Sequence, residues 1–314
     1  MRLATVLSPM SDQNLRLAAQ CGVTDIVHRY PGPGLAAIQE VQQRLEPFGL
    51  RLSVIEGALP IERIKIGRDD GSDLRSLQTL VRDMGEAGVP ILCYNFMAGT
   101  DWVRTKLDVP ERGGALVTAF DLAEVERAMS LSTTASTIDQ EPIEAETLWE
   151  NLRRLLDELL PVAEKAGVTL AMHPDDPPLD RLLGKARIMN CVESFERLVA
   201  LAPSPANAIC FCQGTFAEMG VDIPATIRRL GPHIKYVHCR DIRGSRESFV
   251  ETFHDNGRTD MAAAMRAYQD IGFAGPIRPD HVPQLVGEES GEPGYTMLGR
   301  LFAYGYLRGL MHAT

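Results

Sequence analysis

Four residues with metal-binding side chains each close a short apolar run in the second half of the chain. They are His173 in AMHPDD, Cys212 in CFCQG, His238 in YVHCRD and Asp280 in IRPDH. Imidazole, thiolate and carboxylate groups are the usual protein ligands of divalent transition metals. Each residue alone is weak evidence, but four at equivalent positions predict one metal ion with nitrogen, sulfur and oxygen ligands.

The residue types also narrow the kind of metal site. Cys212 favours Fe2+, Mn2+ or Zn2+ over Mg2+, because a thiolate is a soft ligand. A purely structural zinc site is disfavoured, since such sites are usually rich in cysteine and closed. We therefore expect a catalytic ion in an open cavity.

Other polar residues near the ends of these runs suit an acidic, hydroxylated substrate. Arg278 precedes Asp280 by two positions and so points to the same face, where it either grips a carboxylate or orients Asp280. Asp175 and Asp176 follow His173, and they either orient ligands, bind substrate hydroxyls or form a turn. Asn95, which closes the run CYNF, is a further substrate-binding candidate.

Two residues in loops are candidates for proton transfer. Tyr295 in EPGYT follows the last apolar run, and a phenol near a metal ion can carry a proton. His254 in TFHDNG lies on the loop after the seventh run and could protonate a leaving group. The alternative for His254 is an exposed loop residue without a catalytic role.

The elements that must position these residues alternate strictly along the chain. Short apolar runs are separated by amphipathic stretches, several of which end in a glycine typical of a helix C-cap. Eight such runs predict an α/β fold of the (β/α)8 TIM-barrel type, with residues 1–314 as a single domain. The eight runs are LATVLS, TDIVHR, RLSVIEG, PILCYNF, TLAMHP, AICFCQG, IKYVHCRD and GPIRPDH. No G-x-G-x-x-G motif follows the first run, which argues against a dinucleotide-binding sheet.

One segment interrupts the alternation. Residues 100–144 form a long connection between the fourth and fifth runs, and connections of this length are usually functional. We predict an insertion that covers the barrel mouth, with a helix near Asp121 to Ser130. A second long loop is expected at about Arg243 to Asp260.

Composition excludes several classes of protein. The net charge of −10 and pI near 5.3 argue against nucleic-acid binding. No stretch approaches the roughly 18 uninterrupted apolar residues of a membrane span, and no secretory leader is recognisable, so we expect a cytoplasmic protein without membrane contact. Six cysteines are few for this length and predict free thiols, with Cys93, Cys210 and Cys239 buried in the core.

The chain resembles the mannonate dehydratase family of xylose isomerase-like TIM barrels. The resemblance rests on CYNFMAGTDWVRT, NLRRLLDELLPVAEKAGVTLAMHPDDPP, SPANAICFCQGT, IKYVHCRDI, SFVETFHDNGRTDM, IRPDH and PGYTMLGR, which occur in the family's order. The chain departs from the family where FCTGS reads FCQGT, GLPRI reads GKARI, HLRN reads HCRD and PDHGR reads PDHVP.

The resemblance implies an enzyme that uses Mn2+ or Fe2+ to convert D-mannonate to 2-keto-3-deoxy-D-gluconate and water. The family's metal ligands fall on His173, Cys212, His238 and Asp280, and its catalytic Arg and Tyr fall on Arg278 and Tyr295. We assign proton transfer to Tyr295, and to Asp280 an acid/base role besides metal binding. Relatives are often dimeric, so a homodimer is expected.

Two alternatives remain open from sequence alone. One is a sugar isomerase or epimerase, or a dehydratase of another aldonate, on the same metal barrel. Such epimerases usually use a pair of Glu residues, whereas Glu56 is the only strand-end Glu in this chain. The other alternative is a metal-binding barrel without catalytic activity.

Overall fold

The eight apolar runs form one closed barrel of parallel strands, as predicted. The computed structural model describes residues 1–130 and 141–314. In chain order, the strands of this part are β1 (Arg2–Thr5), β2 (Asp25–His28), β3 (Arg51–Glu56), β4 (Ile91–Tyr94), β5 (Val103–Arg104), β6 (Lys106–Pro110), β7 (Leu116–Asp121), β8 (Met129–Ser130), β9 (Thr169–Met172), β10 (Arg181–Leu182), β11 (Lys185–Ala186), β12 (Asn207–Cys212), β13 (Ile234–Cys239), β14 (Ile242–Ser245), β15 (Ser248–Glu251) and β16 (Pro276–Pro279). The barrel order is β1, β16, β13, β12, β9, β4, β3 and β2.

Helices between the barrel strands cover the outside of the sheet. They are α1 (Asp12–Gln20), α2 (Leu35–Leu45), α3 (Glu62–Lys65), α4 (Ser72–Glu86), α5 (Ala145–Ala166), α6 (Val192–Leu201), α7 (Gln213–Glu218), α8 (Ile223–Leu230), α9 (Met261–Asp270) and α10 (Met297–Ala313). The expected C-terminal glycine appears after α5, where Gly167 takes a left-handed conformation that glycine adopts without steric cost. Within the described residues, no helix is both long and apolar enough to cross a membrane.

The interior of the barrel is a small apolar cluster, separate from the larger core between sheet and helices. It consists of Ala4, Val27, Val54, Ile91, Cys93, Ala171, Cys210 and Tyr236. Cys239 packs in the larger core. The prediction that Cys93, Cys210 and Cys239 are buried is therefore confirmed, and all six cysteines are free thiols.

Strand register brings the chemically distinctive residues to one level of the barrel. Cys212 pairs with His238, and His238 pairs with Arg278. His173 follows β9 directly, and its amide donates to the carbonyl of Tyr94 at the end of β4. The carboxyl ends of parallel strands meet at the same end of a barrel, so these side chains converge at its mouth.

In its described residues, the regular structure of the insertion consists mostly of strands β5 to β8, and the helix expected near Asp121 to Ser130 is present only as a short 3-10 helix. Only a short 3-10 segment spans Leu122–Arg127, interrupted at Glu124, and strand β8 follows it. Strands β6 and β7 join β14 and β15 from the second long loop in a four-stranded antiparallel sheet. The alternating polar and apolar residues of KLDVP favour the half-exposed strand β6, and the segment after β7 does not extend into a long helix because the backbone at Glu124 is not helical. Residues 131–140 of the expected lid lie outside the described part.

Helix α10 packs on the barrel of its own chain. Tyr304 and Leu307 are buried, and Tyr306, Leu310 and Met311 pack against the core. The Phe302 ring stacks on Tyr306 and meets Phe253 edge-on. The aromatic residues of this helix thus have partners within the subunit.

Candidate active site

Three of the four expected metal ligands converge closely. One ligand atom each from His173, Cys212 and His238 lies within 4.8 Å of the other two. The fourth, Asp280, places Oδ2 at 3.8 Å from Cys212 Sγ and at 3.9 Å from His238 Nδ1. All four side chains are buried.

Hydrogen bonds orient the two imidazoles toward each other. His173 Nδ1 lies 2.7 Å from the carbonyl oxygen of Pro174, which only accepts, so the proton is on Nδ1 and the Nε2 lone pair is free. His238 Nε2 lies 3.3 Å from a carboxylate oxygen of Glu56, which likewise draws the proton to Nε2. His173 Nε2 and His238 Nδ1 then face each other at 3.2 Å. Metal-binding histidines are held in this way, with the second nitrogen donating to a carbonyl or carboxylate, so the residues present fit a divalent ion.

Glu56 is the centre of the support for His238. The Tyr236 hydroxyl donates at 2.9 Å to Oε2, the oxygen that faces His238, and Oε1 accepts from Arg278 Nη2 at 3.1 Å. Burial alone would raise its pKa, but Arg278 and His238 hold the pKa of Glu56 well below its ordinary value. Glu56 is therefore a buried anion that balances the positive charge of this region.

Two arginines fix the carboxylate of Asp280. Arg240 Nε donates to Oδ2 at 2.9 Å, and Arg278 Nη1 lies 2.9 Å from Oδ1. Despite burial, these guanidinium groups hold the pKa of Asp280 well below its ordinary value. Arg240 fits here because Gly214 lacks a side chain: a Cβ at Gly214 would come within 2.5 Å of Arg240 Cγ.

Cys212 is also supported by a neighbouring side chain. The hydroxyl of Thr215, in the first turns of α7, donates to Cys212 Sγ at 3.1 Å. Such a bond stabilises a thiolate, the form of cysteine that binds metal.

A buried network of charges ties the insertion to the barrel mouth. Arg104 of β5 donates to both oxygens of Asp176, at 2.7 and 3.0 Å, and to Glu251 of β15 at 2.7 Å. Arg240 donates to the same Asp176 at 2.7 Å. Asp176 thus accepts hydrogen bonds from two arginines. These link the loop after β9 to β5 of the insertion and to the end of β13.

Beside the donor residues lies a pocket at the barrel mouth. Its wall includes Glu56, Lys65, Asn95, Trp102 and His173. Lys65 Nζ donates to Asn95 Oδ1 at 2.7 Å, and the Trp102 ring meets the His173 ring edge-on at 5.7 Å. Because Lys65 is also ion-paired with Glu62, the pocket offers an amide and an aromatic wall next to the His173 imidazole, with Lys65 holding the amide in place.

The remaining substrate-binding candidates differ in their surroundings. Arg278 is turned toward Glu56, Tyr236 and Asp280, so it adopts the orienting arrangement that the sequence left open. Asp175 accepts from the amide of Met189 at 2.7 Å, and its other oxygen is buried without a hydrogen bond. Burial raises the pKa of Asp175.

Tyr295 lies at the same mouth, next to a residue that sequence reasoning overlooked. Its ring meets the His281 ring at 5.4 Å, and burial followed by the charge of Asp280 raises the pKa of Tyr295 to about 12. His281 Nδ1 lies 2.7 Å from Glu251 Oε1, so its Nδ1 proton points to the carboxylate and its Nε2 is free to accept. His281 directly follows Asp280 in IRPDH, a position that could have drawn attention to it.

His254 is buried rather than exposed, contrary to the alternative considered for it. Its Nε2 lies 2.8 Å from the carbonyl oxygen of Cys239, and its Nδ1 has no hydrogen-bond partner. Burial lowers the pKa of His254 to about 4. A neutral imidazole whose one proton already points to a carbonyl is poorly placed to protonate a leaving group.

Two of the departures from the family motifs point away from the mouth. Gln213 contacts Met261 and Tyr268 under α9. Asp241 accepts from the amide and hydroxyl of Thr259. These two replacements are accommodated in the packing around the barrel.

The chain is similar in sequence to mannonate dehydratases along most of its length. The sequence model of the family described as D-mannonate dehydratase (UxuA) matches residues 8–314. The mannonate dehydratase of Oceanobacillus iheyensis is 36% identical over 296 residues, which cover 87% of this chain and 84% of that protein. The mannonate dehydratase of Enterococcus faecalis is 32% identical and covers 93% of this chain and 91% of its own.

Solved structures agree with the sequence comparison. The crystal structure of mannonate dehydratase from Streptococcus suis serotype 2 superposes with a TM-score of 0.88 at 30% identity, covering all of this chain and 93% of the other. An L-ribulose 3-epimerase superposes with a TM-score of 0.62 at 15% identity, over 99% of this chain and 95% of the other. At 15% identity, the similarity to the epimerase shows a shared barrel fold and says nothing about activity.

Proposed function

The chain belongs to the mannonate dehydratase family and is a hydro-lyase, and from this premise we propose that it converts D-mannonate to 2-keto-3-deoxy-D-gluconate and water. The observation that carries the proposal is the convergence of His173, Cys212 and His238, with Asp280 beside them, at the barrel mouth, where His173 also lines a pocket. Membership of this family favours a dehydratase over a sugar isomerase or epimerase and over a barrel without catalytic activity.

The proposed cofactor is one Mn2+ or Fe2+ ion held by His173, Cys212, His238 and Asp280. The fit rests on the two facing nitrogen lone pairs, the thiol supported by Thr215 and the ionised Asp280. When bound, such an ion polarises a carboxylate or hydroxyl oxygen of the substrate and makes the neighbouring C–H more acidic.

The reaction removes a proton from C2 and a hydroxyl group from C3, and the resulting enol becomes the 2-keto product. Of His281 and Tyr295, His281 is the better candidate for the base that takes the C2 proton, because Glu251 holds its proton on Nδ1 and leaves Nε2 as an acceptor. Tyr295, whose pKa is raised to about 12, is protonated near pH 7 and carries a proton that the departing hydroxyl, a stronger base than a phenolate, can take. The acid role once considered for His254 therefore passes to Tyr295, and Asp280 keeps its role as a ligand.

Substrate binding is assigned to the pocket beside the imidazoles. The Asn95 amide suits a hydroxyl or carboxylate oxygen of a sugar acid, and Lys65, paired with Glu62, orients that amide. Asp175 offers a buried oxygen without a hydrogen bond, which a substrate hydroxyl could satisfy. Arg278 and Asp176 act by holding Glu56, Asp280 and Arg104 in place.

The proposal extends to the domain organisation, the location and assembly, and the ligand of the protein. Residues 1–314 form a single domain in which the insertion at 100–144 covers the mouth, a role supported by the contacts of Trp102 with His173 and of Arg104 with Asp176. The protein is proposed to be a cytoplasmic homodimer, in line with the family resemblance. Its partner is a small sugar acid.

The test is product formation by the metal-loaded protein. The chain, loaded separately with Mn2+ and with Fe2+ under reducing conditions, is incubated with D-mannonate and other aldonates, and 2-keto-3-deoxy acids are assayed. We expect product from D-mannonate and none from the Cys212→Ala variant. Product from a different aldonate only would contradict the proposed substrate, and tight metal binding without any product would contradict the dehydratase proposal.

A further inference from the structure

A second group of metal-binding side chains lies one layer deeper in the barrel. Cys93 of β4, Cys210 of β12 and His238 of β13 each offer a ligand atom, and these atoms lie within 4.8 Å of one another. Cys210 precedes Cys212 by two residues on the same strand, so both side chains point into the barrel at successive levels. None of these three side chains is more than 1% exposed.

We propose that Cys93, Cys210 and His238 form a second binding site, selective for a soft divalent ion such as Zn2+ or Cd2+. Two thiolates and one imidazole are a ligand set that such ions prefer over the harder Mn2+. The adjacent carboxylate of Glu56, whose Oε2 lies 3.3 Å from His238 Nε2, supplies a nearby oxygen and a negative charge. Binding releases the two thiol protons to solvent.

The deeper site is reached from the same pocket as the first. Cys93 and Glu56 both line the pocket, whose wall also includes His173. Glu56 pairs with Cys93 in the register of β3 and β4, so the two side chains mark neighbouring positions on the inner wall. The first sulfur of the deeper site, that of Cys93, therefore borders the pocket.

His238 belongs to both groups, and this sharing has a functional consequence. A neutral imidazole has one lone pair, so His238 binds one ion at a time. An ion held by Cys93 and Cys210 therefore withdraws His238 from the ligand set of the dehydratase. This consequence rests on the proposed function. It predicts that soft metal ions inhibit the enzyme by binding in the deeper site, one level below the catalytic ion.

The binding test reads the number of sulfur ligands directly and does not need an active enzyme. Metal-free protein receives one equivalent of Cd2+, and the ultraviolet charge-transfer absorbance of cadmium–thiolate bonds is measured. We expect the intensity of two thiolates per ion, with a clear loss in Cys210→Ser and in Cys93→Ser. Cys191→Ser, which changes a partly exposed cysteine, is the matched control and should leave the absorbance unchanged.

The same experiment can overturn the proposal. An absorbance of one thiolate per ion that persists in Cys210→Ser and disappears in Cys212→Ser would place cadmium in the first site only. Cadmium-113 NMR of the unaltered protein distinguishes one from two sulfur ligands without any substitution, so a poorly folded variant does not leave the question open.

Inhibition is tested separately on the Mn2+-loaded enzyme. Without Cd2+, we expect Cys210→Ser to be as active as the unaltered protein. It should require at least about tenfold more Cd2+ for half-inhibition, because its deeper site has lost a ligand. Equal inhibition of both proteins would contradict the proposed mode of inhibition. An enzyme without dehydratase activity that still binds cadmium through two thiolates would fail the proposed function alone.

Discussion

The two halves of the barrel mouth carry different chemistry. The strands β9, β12, β13 and β16 bring His173, Cys212, His238 and Asp280, which are side chains that bind metal. The strands β3 and β4 lead to Glu56 and Asn95, which line the pocket with Lys65. Glu56 bonds the ligand His238, and Asn95 bonds Lys65. The first half would hold the ion. The second would keep the proton of His238 on Nε2, through Glu56, and receive the substrate.

The largest expected effect on activity comes from removing a metal ligand, in the half of the mouth formed by β9, β12, β13 and β16. Cys212→Ser replaces the soft ligand, so we expect loss of tight Mn2+ or Fe2+ binding and a fall in kcat/KM on the order of 10³-fold, since a bound ion contributes several kcal/mol to the transition state. Metal content after dialysis and initial rates measure both effects. Cys239→Ser, at a buried cysteine of the outer core, is the matched control. Full metal content and activity in Cys212→Ser would break the division between the halves.

Next in size is the loss of the proposed proton donor. Tyr295→Phe should lower kcat by about 10²- to 10³-fold, the usual contribution of acid catalysis, with little change in metal content. Tyr306→Phe, on the partly buried face of α10, serves as control. If Tyr295→Phe loses metal instead of kcat, the residue belongs to the ligand support and the assignment of the acid is wrong.

A smaller effect is expected where the two halves meet. Glu56→Gln keeps the size of the side chain but removes the charge that fixes the Nε2 proton of His238, and comparable changes lower metal affinity about 10- to 100-fold. Competition with a metal-sensitive dye gives the affinity. Glu62→Gln changes another carboxylate in the pocket wall that does not bond His238, and it should leave affinity nearly unchanged. Equal affinities for both variants would show that the halves act independently.

The smallest effect on turnover is expected at His254, where stability should change instead. Its pKa of about 4 in the fold lies below the ordinary value near 6.5, so the unfolded chain binds the proton first as pH falls. Its contribution to stability is therefore complete above about pH 6.5 and declines toward pH 4. His254→Gln should abolish this decline and change kcat less than about tenfold, because we assign it no proton transfer.

Urea unfolding of the metal-free protein at pH 7.5 and pH 5 measures the difference. Between these values, the wild type should lose about 2 kcal/mol more than His254→Gln. The strongly acidic carboxyl groups of Glu56 and Glu251 titrate below this range and do not interfere. An equal loss in both proteins would mean that His254 is not held neutral by burial.

The same division explains what the sequence could predict. His173, Cys212, His238 and Asp280 have residue types that are diagnostic at the end of a strand, and alternating runs predict the barrel that brings them together. Glu56, Arg240, Glu251 and His281 depend on partners far away in the chain, such as Arg104 with Glu251, and a strand pattern does not reveal such pairs. The sequence did not reveal the β-sheet of the insertion because its strand β7 pairs with β15, which lies after the seventh barrel strand.

X-ray absorption of the Fe2+-loaded enzyme tests the central claim most directly, because it identifies the atoms around the ion. The site described above predicts one sulfur neighbour together with nitrogen and oxygen neighbours, and loss of the sulfur signal in Cys212→Ser but not in Cys239→Ser. A shell of nitrogen and oxygen alone in the unaltered protein, at full occupancy and full activity, would contradict the proposed metal centre.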